Sequence, residues 1–401
     1  MTLITETNKL IEVCERFSRE GFLAIDTEFM RDKTYYAKLC LIQIAYPEKG
    51  EGSFTLIDPL AEKISLKPFF ELLSEESVIK VFHAGRQDLE IFYSISGYIP
   101  NPIFDTQIAA MVCGFGDQVA YETLVRHLAK QTLDKSSRFT DWSRRPLTDA
   151  QKKYALADVT HLRVIYEILS EQLVNTGRLK WVKEEIKNLI SPETYDINPK
   201  NSWRRLKTKS NSRRFLGLVA SLAEFRENFA QSKNIPRNRV IKDDALLELA
   251  SNKPRNLDEL SRSRLLLRDA RKGEIASGLL TAIEKGLEIP DSELPEKQLK
   301  PERGQINNAL ADLLRVLLKS CSENAGVASK LIATASDLDA LAAGDRNIGA
   351  LSGWRFEIFG KSALQLCDGK IGLSVKGIKV CLLYTSPSPR DLSTSRMPSS
   401  A

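Results

Sequence analysis

The chain has 401 residues, of which 42% are hydrophobic and 27% are charged, and its formal net charge is +6. This length predicts two or three domains, and the composition is typical of a globular protein with a packed core. No run of apolar residues approaches the roughly 18 that a membrane helix needs. The N-terminal segment also lacks the basic and then apolar order of a secretory signal. We therefore expect a cytoplasmic protein without a membrane segment.

Cysteine and histidine are too few and too scattered to predict a metal site of their own. The six cysteines stand singly, without a CxxC pair, which argues against a zinc site and against a disulfide framework. Only three histidines occur, so any metal chemistry must use carboxylates. Carboxylate oxygens are hard ligands, and such ligands favour Mg²⁺ or Mn²⁺.

The first 190 residues alternate between strand-like and helix-like segments. Buried strands are predicted at FLAIDTEF, KLCLIQIAY, FTLIDPL and SVIKVFHA, with a hairpin joining the second to the third. Helical spacing follows in GRQDLEIFYSI, IFDTQIAAMVC predicts a short strand that becomes a helix, and residues 149–177 predict a long amphipathic helix. This order of hairpin strands, followed by strands joined by helices, predicts a mixed-sheet α/β domain over residues 1–190.

The rest of the chain is predicted to be helical and is basic in its first part. Residues 191–212 are polar and proline-marked, which indicates a linker, and Trp203 is available to anchor it on a neighbouring domain. Helical patterns fill 213–290 and then 301–380, where the chain ends in a hairpin-like KIGLSVKGIKV. Residues 200–274 contain 19 Lys and Arg against nine Asp and Glu, whereas the remainder has a net charge of −4. This asymmetry predicts a module that binds a polyanion.

The last segment, residues 381–401, has a different character from the chain before it. Its first letters, CLLYTS, are what TGT CTC TTA TAC ACA TCT encodes, which is a sequencing-adapter sequence. SRMPSSA fits the flanking primer region in the same way. We therefore predict adapter read-through rather than native sequence, and the alternative is a disordered tail rich in Ser and Pro.

Three separate segments place acidic residues in positions that could serve one site. Asp26 and Glu28 lie two apart at the end of an apolar strand and so project from one face. Their mutual repulsion would be relieved by a divalent cation, although a solvated strand end is the alternative. Asp88 follows a later strand in the first turn of a helix, where a carboxylate also stabilises the helix. Tyr154 and Asp158 are four apart and share one helix face, which an ordinary surface pair also does.

In combination and in order, these motifs resemble the DEDD exonuclease superfamily, in its tyrosine-bearing subgroup. AIDTEFMR, VFHAGRQDLEIF, FDTQIAAMVCGFGD and SRFTDWSRRPLTDAQKKYALADVTHL are similar to the ribonuclease D family over residues 20–175. The resemblance implies an α/β ribonuclease H-like exonuclease domain with a mixed five- to six-stranded sheet. It also implies 3′→5′ hydrolysis of RNA to nucleoside 5′-monophosphates, with tRNA precursors as the usual substrate.

The same resemblance implies the roles of the site residues. Asp26, Glu28, Asp88 and Asp158 would hold two divalent cations, Mg²⁺ or Mn²⁺. Tyr154 would orient the attacking water or assist its deprotonation. RNA with a free 3′ end is the expected partner, and we expect a monomer without an obligatory protein partner.

The helical half of the chain resembles the HRDC module. SLAEFRENFAQSKNIPRNRVIKDDALLELASNKPRNLDEL, within the predicted domain 213–290, is similar to that all-α helical bundle, and 301–380 resembles a second, diverged copy. The basic surplus of residues 200–274 suits phosphate contacts that do not depend on the RNA sequence. The candidate RNA-binding residues are Phe29, Arg144, Arg145, Arg237, Arg239 and Lys242. The alternative role for Arg144 and Arg145 is capping of the loop before the long helix, and the alternative for Phe29 is core packing.

Two other functions compete with RNA trimming. One is a DNA 3′→5′ exonuclease on the same fold, and the other is an RNA-binding scaffold that has lost catalysis. The sequence has no polymerase-sized domain and no P-loop motif, which disfavours the first. All four carboxylates and the tyrosine are present, which disfavours the second.

Overall fold

The computed structural model describes residues 3–47, 53–134, 136–138, 140–208, 210, 212–296 and 306–384. The strands are β1 (Leu3–Ile4), β2 (Phe22–Met30), β3 (Lys38–Ala45), β4 (Phe54–Ile57), β5 (Ile79–Phe82), β6 (Ile103–Asp105), β7 (Ile371–Lys376) and β8 (Lys379–Tyr384). The helices up to the linker are α1 (Thr7–Phe17), α2 (Lys67–Leu73), α3 (Arg86–Ser96), α4 (Thr106–Val112), α5 (Tyr121–Leu124), α6 (Asp149–Asn175) and α7 (Leu179–Ile186). Those after it are α8 (Arg213–Ser232), α9 (Arg237–Val240), α10 (Asp243–Asn252), α11 (Leu257–Ser261), α12 (Gly273–Glu288), α13 (Asn308–Ala325), α14 (Ser329–Ile332), α15 (Ala335–Ala342), α16 (Gly353–Arg355) and α17 (Lys361–Cys367).

A six-stranded sheet forms the frame of the N-terminal half, in the order β1-β4-β3-β2-β5-β6. The strand β2 pairs antiparallel with β3 and parallel with β5, and β4 pairs antiparallel with β3. The sheet is therefore mixed, as the pattern of hairpins and helical connections predicted. Residues Phe22–Ile25 and Leu39–Ala45 are buried, and their strands lie inside the sheet, between β4 and β5.

The long helix α6 begins at a capping box. The Thr148 hydroxyl accepts a hydrogen bond from the Gln151 backbone N–H at 3.2 Å, and the Gln151 side chain accepts one from the Thr148 N–H at 3.0 Å. This reciprocal pair satisfies two backbone donors that a helix start otherwise leaves without partners. It fixes the start of the helix that contains Tyr154 and Asp158.

The described chain divides into two compact units, while the predicted domain bounds remain predictions. The first unit comprises residues 1–104, 133–163 and 187–299, and the second comprises 105–132, 164–186 and 300–401. In the first unit the helices α8 to α12 enclose one apolar core, to which the linker contributes Leu206 and, at its edge, Trp203. Tyr35, from the loop between β2 and β3, is buried in that same core.

The second unit has an apolar core of its own, built mainly by α13 to α17. The indole of Trp181, on α7, stacks on that of Trp354 with ring centroids 4.6 Å apart. Arg355 pairs with both Glu184 and Glu185 on the same helix α7. The predicted terminal hairpin is present as β7 and β8. Of the predicted read-through segment, Cys381–Tyr384 belong to β8, and 385–401 lie outside the described residues.

That 301–380 is a second HRDC copy remains a prediction. None of the helices in the described ranges is both long enough and apolar enough to cross a membrane.

Candidate active site

The central strand β2 presents two carboxylates at its C-terminal half. Asp26 and Glu28 lie on the same face because side chains alternate along a strand, and both are partly buried. The register between β2 and β3 shifts between Glu28 and Phe29, so the regular ladder ends directly after the second carboxylate. Phe29 is partly buried there.

Asp88 reaches the site through a tight turn between β5 and α3. Ala84 adopts a left-handed conformation with φ of 54°, and Gly85 approaches Phe82 so closely that an added Cβ would lie 2.5 Å from the Phe82 Cβ. This turn directs the chain into α3, whose first turn contains Asp88. The Asp88 carboxylate is buried and accepts a hydrogen bond from the Thr27 hydroxyl, which ties α3 to β2.

The helix α6 contributes the remaining two predicted residues. Burial raises the pKa of Asp158 to about 7, and a hydrogen bond from the Tyr154 hydroxyl opposes that rise. The four-residue spacing allows this bond. The ring centroids of Tyr154 and Trp142 lie 6.0 Å apart, and Trp142 is buried. Tyr154 is therefore held by packing on its ring while its hydroxyl faces the acidic site.

The structure brings three of the four predicted metal ligands into one cluster. Carboxylate oxygens of Asp26, Glu28 and Asp158 lie within 4.8 Å of one another. Asp88 is not part of that group, but its charge raises the pKa of both Asp26 and Glu28, so it lies within electrostatic reach of them. A single divalent cation can therefore contact the three clustered carboxylates, and Asp88 lies beside them.

Burial and mutual repulsion perturb these acids strongly. Burial, followed by the charges of Asp158 and Asp88, raises the pKa of Glu28 to about 9. The same causes raise the pKa of Asp26 well above its ordinary value, and burial raises that of Asp158. Several carboxylates cannot all be ionised in such a place without a counter-charge. Their hard oxygen donors fit divalent cations such as Mg²⁺.

Arg138 also belongs to this site, and the motifs gave no sign of it. It lies in a turn ahead of α6 and is exposed. Burial raises the pKa of Glu28, Tyr154 and Asp158, and the positive charge of Arg138 opposes each rise. An arginine in an irregular loop has no periodic pattern, so only its position in the folded chain indicates its place beside the carboxylates.

The two candidate arginines of the loop before α6 differ in their surroundings. Arg145 donates to Asp58 through Nε and Nη2, each at 2.6 Å, and it also donates to the carbonyl oxygens of Cys40 and Trp142. These bonds favour the structural alternative for Arg145, which holds the loop against the sheet. Arg144 is exposed and remains a candidate for phosphate contact.

The three candidates of the HRDC-like region lie near α9. Arg237 donates through Nε to the Glu227 carboxylate, at 2.7 Å to one oxygen, and through Nη2 to the Tyr35 hydroxyl at 3.2 Å. Arg239 and Lys242 are exposed. Arg237 therefore lies against the nuclease loop that contains Tyr35, within the same unit as the carboxylates.

Comparisons with known proteins agree with this geometry. A family model described as a 3′-5′ exonuclease matches residues 1–174, and one described as the HRDC domain matches residues 215–273. The chain is 57% identical over 377 residues to ribonuclease D of Jannaschia sp. (strain CCS1), with 94% of this chain and 98% of the relative covered. The chain belongs to the ribonuclease D family.

Further relatives of the ribonuclease D family extend the match. Ribonuclease D of Nitrobacter hamburgensis is 46% identical over 94% of this chain and 97% of its own length. Among solved structures, Escherichia coli RNase D, described as an exoribonuclease involved in structured RNA processing, matches with a TM-score of 0.78 at 29% identity. That alignment covers 92% of this chain and 98% of the other.

Membership of the ribonuclease D family confirms the predicted activity. The chain is a hydrolase, a 3′→5′ exoribonuclease, and an exonuclease domain of this type works with divalent metal ions. The ribonuclease H-like exonuclease domain with a mixed sheet and the HRDC domain are both present. The DNA exonuclease and the inactive scaffold are therefore set aside.

Proposed function

We propose that this exoribonuclease matures the 3′ ends of structured RNAs, tRNA precursors among them, and that it uses two divalent cations, Mg²⁺ or Mn²⁺. The observation that supports the proposal most directly is the cluster of Asp26, Glu28 and Asp158, whose carboxylate oxygens lie within 4.8 Å of one another. Asp88 completes the proposed ligand set. The predicted cytoplasmic location and monomeric state remain predictions.

In this proposal each protein group has a separate task. Asp26, Glu28, Asp88 and Asp158 would hold the divalent cations. When bound, these cations would supply a water of lowered pKa and a positive charge to stabilise the departing 3′ oxygen. Tyr154 orients the attacking water through its hydroxyl. Burial raises the pKa of Tyr154, so the hydroxyl keeps its proton at neutral pH and is suited to orientation rather than to removing a proton.

The proposed RNA contacts come from the nuclease domain and from the HRDC region. Phe29 would stack on a terminal base, and Arg144, Arg237, Arg239 and Lys242 would contact phosphates. Since the bonds of Arg145 all lead to protein atoms, we assign it to the support of the loop instead. Residues 301–380 would act as a second HRDC-like domain that supports the substrate path.

The test is hydrolysis of end-labelled RNA by the purified full chain, with DNA of the same sequence alongside. We expect nucleoside 5′-monophosphates released stepwise from the 3′ end of RNA in Mg²⁺ or Mn²⁺, and no release in EDTA. A tRNA precursor with a 3′ extension should be trimmed to a defined end. The Asp158→Asn protein is the matched inactive control. Nucleoside 3′-monophosphates, or activity that survives EDTA, would contradict the two-cation mechanism.

A precursor tRNA left untrimmed while an unstructured oligomer is degraded would contradict the substrate assignment alone.

A further inference from the structure

A pocket of about 450 Å³ lies where the loop after β2 meets the HRDC region, and its lining is strongly basic. Its volume lies within the range of ligand-binding pockets, roughly 300–1,000 Å³. Its charged lining consists of Arg31, Arg205, Arg226, Arg237 and Asp243. A cavity of this size with four guanidinium groups predicts an anionic ligand.

The carboxylate of Glu227 accepts hydrogen bonds from two of these arginines. Glu227 is fully buried and accepts hydrogen bonds from Arg205 at 3.2 Å and from Arg237 at 2.7 Å. Burial raises the pKa of Glu227, but the hydrogen bonds from Arg237 and Tyr35 outweigh it and lower the pKa below its ordinary value. The acid is therefore ionised and fixes both guanidinium groups without lining the pocket itself.

Arg205 and Arg237 retain donors for a ligand because a guanidinium has five N–H groups. Among the described residues, Arg205 directs only one Nη2 bond at Glu227. Pre-organised arginines of this kind bind phosphate as a rigid fork and lose little side-chain entropy when they do so.

Arg226 is the most buried of the four arginines that line the pocket. Arg226 is only 3% exposed, and its Nη1 donates to Asp243 at 2.5 Å and to the Ile241 carbonyl at 3.3 Å. Its Nε is buried and has no hydrogen-bond partner within the described part of the chain. A buried donor without an acceptor costs free energy, and an anion in the pocket can supply that acceptor.

The acids near the pocket do not cancel its positive charge. Glu90 pairs with Arg31, Asp243 pairs with Arg226, and Glu227 is shared by the other two arginines. Four guanidinium groups thus face three carboxylates, and the group as a whole remains positive. Asp243 is mostly exposed, so solvent screens its charge.

The pocket lies at the end of the elements that form the active site. Arg31 follows Glu28 by three residues, about 10 Å along an extended chain. Its partner Glu90 follows Asp88 by two residues on α3. A strand whose 3′ end lies at the carboxylates can therefore reach the pocket with the nucleotides that precede it.

We propose that this pocket binds a backbone phosphate of the RNA upstream of the nucleotide being removed. The proposal rests on the proposed function, since it takes the carboxylate cluster as the place of the 3′ end. It makes the pocket a point where the nuclease domain and the HRDC domain hold the same strand. A free mononucleotide or inorganic phosphate has the same chemistry, so the experiment must separate these ligands from the strand.

The experiment uses a set of single-stranded oligoribonucleotides, each with one uncharged methylphosphonate linkage at a different distance from the 3′ end. Binding to the full chain is measured by fluorescence anisotropy in EDTA, which prevents hydrolysis. We expect that neutralising one particular linkage weakens binding roughly tenfold, the value of a charged hydrogen-bonded contact. In the Arg31→Gln and Arg205→Gln variants, neutralising that linkage should weaken binding no more than neutralising its neighbours does.

The same variants should also change the salt dependence for unmodified RNA. Each lost phosphate contact lowers the slope by about 0.7 on a single strand. Arg31 is suited to this test because its partner Glu90 is partly exposed, so its removal leaves no buried charge. Arg213→Gln is the matched control. It removes an equally exposed, ion-paired arginine from the start of α8, about 20 Å along the helix from Arg226, and should keep the wild-type profile.

Two outcomes would overturn the proposal. One is a methylphosphonate profile that is the same in wild type, Arg31→Gln and Arg205→Gln. The other is that AMP or inorganic phosphate competes in a way that depends on these arginines, although the methylphosphonate profile does not depend on them. That result would assign the pocket to a free ligand. Failure of the proposed function is seen separately, as absence of 5′-monophosphate release from a short oligomer in Mg²⁺. An arginine-dependent linkage in an enzyme without that release would support the pocket and reject the function.

Discussion

At the scale of single residues, the carboxylates of Asp26, Glu28 and Asp158 repel one another in a partly buried place. A carboxyl whose pKa is raised on folding contributes stability at low pH, and that contribution is lost as the pH rises through its folded pKa. For Glu28 this loss of stability extends over the pH range from its ordinary pKa of 4.5 to its raised pKa of about 9. Binding of a divalent cation removes the repulsion and stabilises the folded state by mass action.

We therefore expect the thermal stability of the metal-free protein to fall between about pH 5 and pH 9. Mg²⁺ should raise the melting temperature most at the upper end of this range, since protons no longer compete with the cation there. The measurement is a thermal melt in EDTA and in Mg²⁺ across the range. Asp26→Asn should flatten the pH dependence and reduce the effect of Mg²⁺. An effect of Mg²⁺ equal in size in both proteins would show that the cation binds elsewhere.

Tyr154 offers a second test at the residue scale, because its ring and its hydroxyl have separate roles. Tyr154→Phe keeps the packing on Trp142 but removes the hydroxyl that bonds to Asp158. We expect the single-turnover rate to fall by roughly 10²- to 10⁴-fold, with metal binding nearly unchanged. A rate within twofold of wild type would mean that Tyr154 only fills space.

At the scale of elements, the turn between β5 and α3 determines where Asp88 lies. Gly85 cannot be replaced without a clash, since an added Cβ would lie 2.5 Å from the Cβ and 2.9 Å from the Cγ of Phe82. The clash would move either the Phe82 ring, which is buried, or the first turn of α3. A displacement of the catalytic helix by about 1 Å is enough to cost roughly 10²-fold in rate.

We expect Gly85→Ala to lose activity by about that factor while it remains folded. The measurement is the rate of 5′-monophosphate release alongside a thermal melt. Gly21→Ala is the matched control, because nothing lies within 4 Å of its added Cβ and its φ is not in the left-handed region. If both glycine variants keep wild-type activity, the turn does not position Asp88.

At the scale of the whole molecule, the HRDC region encloses a residue of the nuclease domain. Tyr35 is buried in the core of α8 to α12, where its hydroxyl donates to Glu227. The side chain of Asn234 accepts hydrogen bonds from the backbone N–H groups of Tyr35 and Tyr36 at 3.1 and 3.0 Å. Deletion of the HRDC region would expose this loop, so point variants test RNA binding more cleanly than truncation does.

We expect Tyr35→Phe to lower the free energy of unfolding by about 1 kcal/mol, because Glu227 loses one donor in a buried place. Tyr36→Phe is the control, since Tyr36 is 42% exposed and its change should stay within about 0.5 kcal/mol. Urea denaturation of both proteins measures the difference. Equal stabilities would show that the Tyr35 hydroxyl does not couple the two domains.

Local patterns predicted most of the elements that frame the site. The strands β2 to β5 follow from apolar runs bounded by turns, and α6 follows from a long 3.6-residue periodicity. The two-residue strand β1 was not predicted, because it has no pattern of its own and exists only by pairing with β4. The division into two units has no local sequence signal either, since residues 105–132 and 164–186 associate with a segment far along the chain.

The sequence by itself determined the chemistry of this protein, because the DxE, Asp and YxxxD motifs are short, local and ordered along the chain. The charge asymmetry determined that the middle segment is basic. Only the tertiary structure decided which three carboxylates lie within 4.8 Å of one another, that Arg138 lies beside them, and that Arg31 shares a pocket with Arg226. These relations join residues that are separated by up to about two hundred positions. No local periodicity encodes such contacts, since they exist only after the loops between them have closed.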